Sequence, residues 1–234
     1  MARVPLVQDD DETARVTGVF GTFKDEGRAP SDIYQALANV PGLMTAHRAL
    51  PEALRGREHC PPRLRELAVL RLAQLVGSAY EWSHHRPMAL DAGVTTEQAA
   101  ALAAWRDSAA FGPAERLVLT ATEAVHAMAV TDELFSALEA GLGQAGAMEL
   151  IVVVSQYEAV ARIIQALGVQ VEADHQRHLT DWVPSRGELP RRHGVIAGKG
   201  QVARVHRNGH AGYLRGEIGV EVERGVGDVL RIQP

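Results

Sequence analysis

One stretch of the sequence, from Pro61 to His85, restricts the possible folds more than any other. It begins with two prolines, and proline is tolerated in the first helical turn because its missing N–H would be unpaired there. Apolar residues then recur at three- and four-residue steps, which predicts a helix with a broad buried face, ended by Gly77. Ser78 and Glu81 have the spacing of a capping box, so a second helix is predicted to run through His85.

The second predicted helix carries an acid and an imidazole at adjacent positions of one face. Glu81 and His85 are four residues apart, so a helix brings their side chains together. A carboxylate beside an imidazole favours the imidazolium and can orient one tautomer, and such a pair can act as a general acid and base. The alternative is structural, with Glu81 capping the helix and His85 packed in a core.

This stretch resembles the carboxymuconolactone decarboxylase family, whose relatives include alkylhydroperoxidase-like proteins. The peroxidase branch of that family has a glutamate, a CxxC pair and a histidine, and the matching positions here are Glu66, Ser78, Glu81 and His85. The run from Tyr80 to Trp82 and the His84-His85 pair are similar to the branch without cysteines, which includes decarboxylase-like members. The resemblance covers roughly residues 33–179. It implies an all-α, alkylhydroperoxidase-like helical domain of six or seven helices.

Both cysteine positions of the resembled motif lack sulfur. Thiol-dependent peroxide reduction needs a nucleophilic thiolate and a resolving partner, whereas the one cysteine of this chain, Cys60, lies outside the motif. We therefore expect no peroxidase activity of that type. A residual antioxidant activity through Cys60 is the weakest alternative.

The resemblance implies a decarboxylase-like enzyme, without metal or organic cofactor, that acts on a small carboxylated lactone or a related keto or enol acid. Loss of carbon dioxide leaves an electron pair that must be delocalised as an enolate and then protonated. We expect His85 to be the acid and base, with Glu81 or Glu66 orienting it. The residues expected to contact the substrate are Ser78, Tyr80, Trp82 and His84.

Two other functions fit the same residues. An isomerase or a cyclase would move a proton on a similar acidic substrate without losing carbon dioxide. A non-catalytic helical oligomer would instead bind a ligand, with His85 serving only to pack. The resemblance places the apolar helix at residues 148–167 beside the Glu66 helix, so Tyr157 is a further candidate for the pocket wall, or a core tyrosine with a paired hydroxyl.

A third set of polar residues, Glu172, Asp174, His175 and His178, has the side-chain types that bind metals. The set lacks an HExxH pattern, so we expect a polar helix end and no metal site.

Composition excludes several classes of partner. The formal charge of −5 argues against nucleic acid, because phosphate binding needs concentrated lysine and arginine. A single cysteine excludes an intrachain disulfide framework, and the N-terminus does not resemble a signal peptide, so a cytoplasmic location is expected. Charged residues interrupt the apolar segment 148–167, which favours a buried helix over a membrane span.

The remaining pattern predicts further helices with defined ends. Helices are expected after Ser31, from Leu43 to Leu54, and after Gly112. Thr95 and Gln98 have capping-box spacing. A short helix is expected from Thr131 to Gly141, followed by the buried helix at 148–167.

We predict three regions: an N-terminal arm at 1–30, the helical domain at 31–182 and an extension at 183–234. Glycines and prolines dominate the start of the extension, and short strands are then predicted at 202–205, 213–214, 218–222 and 229–232, with a hairpin turn at Asn208-Gly209. The pattern leaves three interpretations of the extension open: a small β appendage, a subunit-exchange arm or a largely disordered tail. The family resemblance implies a homotrimer or a homohexamer, and the wide apolar faces fit burial between subunits.

Overall fold

The computed structural model describes residues 1–56, 59–184, 201–204 and 221–224 of the 234-residue chain. The chain divides into two compact units, Met1–Gly187 and Glu188–Pro234. The first unit is helical, with α1 (Glu12–Thr17), α2 (Gly21–Asp25), α3 (Asp32–Leu37), α4 (Pro41–Gly56), α5 (Pro62–Val76), α6 (Ala79–Asp91), α7 (Thr96–Ala101), α8 (Pro113–His126) and α9 (Asp132–Leu167). Two 3₁₀ turns span Leu102–Ala104 and Gln176–Leu179.

Helix α5 is the centre of the first unit and packs against α6, α8 and α9. All its side chains from Leu64 to Gln74 are buried. One side of the helix, which includes Val69, joins a core with α8 and α9, and the other side, which includes Leu70, joins a core with α6. Each buried leucine or valine contributes roughly 1.5–3 kcal/mol by leaving water. The broad apolar face predicted from the sequence is therefore confirmed.

The junction between α5 and α6 follows the prediction at its backbone but not at one side chain. Gly77 has a φ of 69°, which suits glycine, and the Ser78 hydroxyl accepts from the Glu81 N–H at 3.2 Å. The Ser78 N–H donates to the Ala73 carbonyl at 2.9 Å. The predicted reciprocal contact of a capping box is therefore wrong here, because that N–H already has a partner and the Glu81 carboxylate points elsewhere.

Two other helix boundaries bear on the prediction. Thr95 and Gln98 form the predicted capping box before α7, with both contacts at 3.1 Å. The break within α9 lies at Gly143, with a φ of 72°, and not at Gly141. Gly141 stays helical and lies close to α8, where an added Cβ would be 3.0 Å from Leu117.

By length and composition alone, α9 could cross a membrane. Its part after Gly143 supplies core residues instead, and Leu150, Val153 and Val154 are fully buried against α5 and α8. The N-terminal 30 residues pack on the same unit, because Phe20 and Phe23 share a buried cluster with residues of α3, α4, α6 and α9.

In the second unit the structure describes one antiparallel pair of strands, β1 (Gln201–Arg204) and β2 (Glu221–Arg224), with Gln201 opposite Arg224. These strands overlap the predictions at 202–205 and 218–222. The predicted turn at Asn208-Gly209 and the predicted strands at 213–214 and 229–232 lie outside the described residues.

Candidate active site

A cavity of about 410 Å³ lies in the first unit, within the range of roughly 300–1,000 Å³ usual for small-molecule sites. It lies between the α2–α3 region, α4, α6 and α9. Its walls include Phe23, Arg28, Ile33, Tyr34, His47, Arg48, Pro51, Arg55, Tyr80, Glu81, His84, His85, Met88, Tyr157, Val160 and His175.

Helical spacing explains which side chains reach the cavity. Helix α6 contributes pairs one turn apart, Tyr80 and Glu81, then His84 and His85. Helix α4 contributes His47, Pro51 and Arg55, also spaced by four, along with Arg48. The cavity therefore faces one side of each helix, and local sequence sets which side chains meet there.

His85 lies between two glutamates at the inner wall of the cavity. Its Nδ1 is 2.8 Å from a carboxylate oxygen of Glu66, and its Nε2 is 3.5 Å from Oε2 of Glu81. All three side chains are buried, with His85 5% exposed. Only His85 and Glu81 line the cavity, so Glu66 holds the imidazole from behind. The structure thus brings together the three residues that the sequence proposed for acid–base chemistry.

The two glutamates around His85 have opposite tendencies to hold a proton. Burial raises the pKa of Glu66, but His85 and Arg65 outweigh burial and keep that pKa below its ordinary value. Burial raises the pKa of Glu81 to about 7, with the Glu66 carboxylate adding to the effect and His85 opposing it. Glu66 is therefore a fixed anion that orients the ring, while Glu81 titrates near neutral pH.

Two further observations show that Glu81 is available for chemistry. Its Oε1 is buried and has no hydrogen-bond partner among the described residues. Such an atom costs about 1–3 kcal/mol, which a bound ligand could relieve. Tyr157 of α9 lines the same space, with its ring edge-on to His85 at 4.5 Å between centroids. Burial raises the pKa of Tyr157, so its phenol is neutral at physiological pH.

A second carboxylate–imidazole cluster, formed by Glu172 and His84, lies at another wall of the cavity. Both oxygens of its carboxylate have hydrogen-bond partners. One oxygen of Glu172 accepts from the Tyr80 hydroxyl at 2.7 Å and from the Asp32 N–H at 2.9 Å. Its other oxygen is 2.8 Å from Nε2 of His84. His84 is stacked between Tyr80 and His175, with centroids at 4.4 and 3.8 Å. These contacts tie the start of α3 to α6 and to the segment after α9.

The contacts of Glu172 also fix its charge. Burial alone would raise the pKa of Glu172, but the contacts with His84, Tyr80 and the Asp32 amide outweigh burial and lower the pKa to about 2. The carboxylate is therefore ionised throughout the physiological range. Burial raises the pKa of Tyr80, so its hydroxyl remains a donor to Glu172.

Comparison with known proteins identifies a family in the part of the chain that carries Glu66, Glu81 and His85. The family model described as "Carboxymuconolactone decarboxylase family" matches residues 41–124, which include α4, α5 and α6. Residues 41–124 belong to the carboxymuconolactone decarboxylase family. The resemblance found in the sequence is thereby confirmed, and both glutamates and the histidine of the candidate site lie in the matched region.

Solved structures similar to this chain share its helical fold at low sequence identity. A variant of the debrominase Bmp8 in complex with 2,3,4-tribromopyrrole is 21% identical, with a TM-score of 0.63 over 77% of this chain and 99% of that chain. The alkylhydroperoxidase AhpD core of a peroxidase-related protein from Ralstonia eutropha JMP134 is 18% identical, with a TM-score of 0.62 over 79% and 98%. These matches confirm the alkylhydroperoxidase-like, all-α fold. A search of curated proteins finds no match.

Two residues expected to contact the substrate lie elsewhere in the family domain. Ser78 caps α6 through the Glu81 N–H and does not line the cavity. Trp82 is fully buried in the core between α5 and α6, with its ring 5.4 Å from that of Trp182. The structure therefore does not bring these two side chains to the cavity, because Ser78 caps the start of α6 and Trp82 lies on the side of α6 that is buried in the core. Tyr80 and His84 do line the cavity.

The thiol of Cys60 is buried and stays protonated at neutral pH. It is fully buried, and burial, reinforced by Glu149, raises its pKa to about 12. Glu149 accepts from the N–H groups of His59 and Cys60 at 2.7 and 3.3 Å. In the described part of the chain, no group of three or more histidine, cysteine or acidic side chains is arranged to bind a metal.

The sequence did not identify several cavity residues. Tyr34 and Arg55 lie on helices before the family motif, and no local pattern marks Tyr34 as functional. The spacing of His47, Pro51 and Arg55 by four was the available signal. Burial lowers the pKa of His47, so it presents a neutral imidazole to the cavity.

Proposed function

We propose that this protein is an enzyme that decarboxylates a small carboxylated lactone, or a related keto or enol acid, with His85 and Glu81 as its proton-transfer groups. The proposal is supported above all by one observation: the buried Glu66, His85 and Glu81 side chains meet at the wall of a ligand-sized cavity. In this mechanism Glu66 positions the imidazole, and the other two groups touch the substrate.

The chemistry requires one proton. When the carbon–carboxylate bond breaks, its electron pair passes into an enolate and carbon dioxide leaves. A proton from the His85–Glu81 pair then forms the new carbon–hydrogen bond, and solvent returns the proton to the pair. A group with a pKa of about 7, as Glu81 has, holds and releases a proton efficiently at neutral pH. We propose that no metal or organic cofactor takes part.

Thiol chemistry is not part of the proposal. Bmp8 is described as a debrominase and the protein from Ralstonia eutropha as peroxidase-related. In this chain, Ser78 and Glu81 stand at the two cysteine positions of the family motif, and Cys60 is buried with a raised pKa. The imidazole of His85 and the carboxyl group of Glu81 contain no sulfur and suit proton transfer, not reactions that need a thiolate.

We further propose that the enzyme works as a homotrimer or a homohexamer. Exposed apolar side chains on two helices support this proposal. On α4, Leu43 and Leu50 are 54% and 39% exposed, and on α9, Met148 and Val152 are 57% and 38% exposed. Their spacing places each pair on one helical face, as an interface between copies would require.

The proposed reaction is tested with γ-carboxymuconolactone and purified protein in deuterium oxide. We expect carbon dioxide release together with one deuterium in the product. Both should be lost in His85→Asn and retained in His126→Asn, because His126 lies at the end of α8, pairs with Glu158 at 3.3 Å and does not line the cavity.

Other outcomes separate the alternatives. Deuterium incorporation without carbon dioxide would contradict decarboxylation of this acid and favour an isomerase or a cyclase. Absence of both, in protein that still binds the acid, would favour a ligand-binding oligomer.

A further inference from the structure

Three arginines line the cavity, and the structure commits two of them to other contacts. Arg28 pairs with Glu26. Arg48 pairs with Glu26 at 2.7 Å and with Glu52, and its guanidinium lies over the Phe23 ring at 3.9 Å. Arg55, by contrast, forms no hydrogen bond or ion pair with any residue in the described part of the chain.

Arg55 is half-buried near the C-terminal end of α4, one turn after Pro51 on the side that faces the cavity. Its charge acts on the phenols of Tyr34 and Tyr157, partly opposing the rise that burial causes in both pKa values. Both phenols line the cavity, and neither hydroxyl forms a hydrogen bond with a described residue. One cation that has no carboxylate partner among the described residues and two neutral hydroxyl groups therefore line the same space.

This combination favours an anion. A half-buried guanidinium has lost part of its water without gaining a carboxylate partner, so an anion in the cavity would offset that cost. The planar guanidinium matches a carboxylate through two parallel N–H···O bonds. The imidazole of His47 is neutral, and burial raises the pKa of Glu81, so these two neighbours limit the opposing negative charge. The chain as a whole carries a charge of −5, so this positive wall is a local feature.

We propose that Arg55, assisted by Tyr34 and Tyr157, binds a carboxylate of the substrate that the reaction leaves in place. This inference rests on the proposed decarboxylation. A carboxylate that leaves as carbon dioxide loses its charge in the transition state, so a cation bound to it would stabilise the ground state more and slow the reaction. Arg55 therefore anchors a second carboxylate, which keeps its charge through the reaction.

The anchor is tested by binding, independently of turnover. Succinate is titrated into the protein while the imidazole signals of His85 are followed by NMR, and succinamide serves as the uncharged match. Because charged hydrogen bonds contribute about 1.5–3 kcal/mol, Arg55→Gln should weaken succinate binding about tenfold to hundredfold. Arg55→Lys should recover part of the affinity, while Arg28→Gln should change it less than about threefold, because Arg28 is already paired.

Turnover gives a second readout. With an acid that the enzyme decarboxylates, Arg55→Gln should raise KM by a similar factor and change kcat much less, since the anchored carboxylate is bound equally in the ground and transition states.

Each contrary result is distinct. Unchanged succinate affinity in Arg55→Gln, equal binding of succinamide, equal binding of inorganic phosphate, or no binding of succinate to the wild-type protein would overturn the anchor. Succinate binding that depends on Arg55 in a protein that releases no carbon dioxide from any dicarboxylic acid would instead contradict the proposed reaction and support the anchor.

Discussion

Adjacent residues of α6, His84 and His85, each face a carboxylate oxygen at 2.8 Å, yet the two clusters differ in how fully they are satisfied. Around His84, the Glu172 carboxylate has three partners, two from α6 and one from the start of α3. Around His85, the second carboxylate, Glu81, is 3.5 Å from the ring and has one buried oxygen without a partner among the described residues.

The difference shows that one helix carries a fully paired cluster and an incompletely paired cluster at two walls of the same cavity. The partners of Glu172 stabilise its charge and lower its pKa to about 2, so it cannot exchange a proton near neutral pH. Glu81 is buried with less compensation, and its pKa rises to about 7. Saturated polar contacts rigidify a structure, whereas an under-satisfied group keeps the freedom to react.

The largest expected effect separates the two histidines by activity. His85→Asn should lower kcat about 10²- to 10⁴-fold, the usual contribution of a proton-transfer group, because it removes the ring between Glu66 and Glu81. His84→Asn should lower kcat less than about tenfold, since His84 positions Glu172. Steady-state kinetics on both folded variants measures the two effects. Equal losses of kcat would contradict the assignment of proton transfer to His85 and of a structural role to His84.

Next in size is an effect of Glu81 on the pH dependence of stability. A pKa raised from 4.5 to about 7 means that the folded state holds its proton more tightly than the unfolded state. The resulting stabilisation is complete below pH 4.5 and is lost as the pH rises through about 7. Relative to Glu81→Gln, the wild type should therefore lose up to roughly 3 kcal/mol over this interval in urea unfolding. A flat difference between the two proteins would refute this.

Glu172 should show the opposite sign. Its pKa is lowered from 4.5 to about 2, so its stabilisation is present above pH 4.5 and is lost as the pH falls through about 2. The free energy of unfolding of the wild type should decline by up to roughly 3 kcal/mol relative to Glu172→Gln across that acidic interval. The same urea experiments, extended to low pH, measure it. If the free energy of unfolding declined instead as the pH rose, Glu172 would not differ from Glu81, and the contrast between them would be wrong.

A smaller effect is expected on the core side of α6. Trp82→Phe should lower the free energy of unfolding by about 1–3 kcal/mol, because the smaller ring leaves space against Trp182 and the surrounding core. Its indole N–H has no partner among the described residues, so no hydrogen bond is lost. KM should be unchanged, and a raised KM in the folded variant would return Trp82 to the substrate site.

The smallest effect concerns Cys60. Cys60→Ala should leave kcat and KM unchanged within about twofold, since a buried thiol with a pKa of about 12 supplies no thiolate at neutral pH. Loss of a peroxide-reducing activity in this variant would show that the thiol reacts after all.

Local sequence patterns predicted the helices that carry the site residues. The family resemblance predicted that Glu66 and His85 would lie close together. The ends of α5, the start of α6 and the capping box of α7 follow from proline, glycine and polar side chains at fixed spacings. Glu66 and His85 are 19 positions apart, and no periodicity joins them. Their pairing was expected only because the family motif holds both.

Tertiary packing decided the rest. Ser78 could not complete a capping box because the Ala73 carbonyl had taken its N–H. Trp82 lies in the core because α5 covers that side of α6. The sequence of α6 is rich in polar residues, so it does not indicate which side is buried. Arg55 and Tyr34 reach the cavity from helices distant in sequence, so only the fold shows them beside His85.

The most direct test is the ionisation of Glu81 itself, followed by carbon-13 NMR of the side-chain carboxyl and assigned with Glu81→Gln. We predict a midpoint near pH 7 for Glu81, while Glu172 in the same spectra stays ionised well below pH 4. A Glu81 midpoint near its ordinary value of 4.5 would contradict the claim that this carboxyl and His85 share a transferable proton at neutral pH.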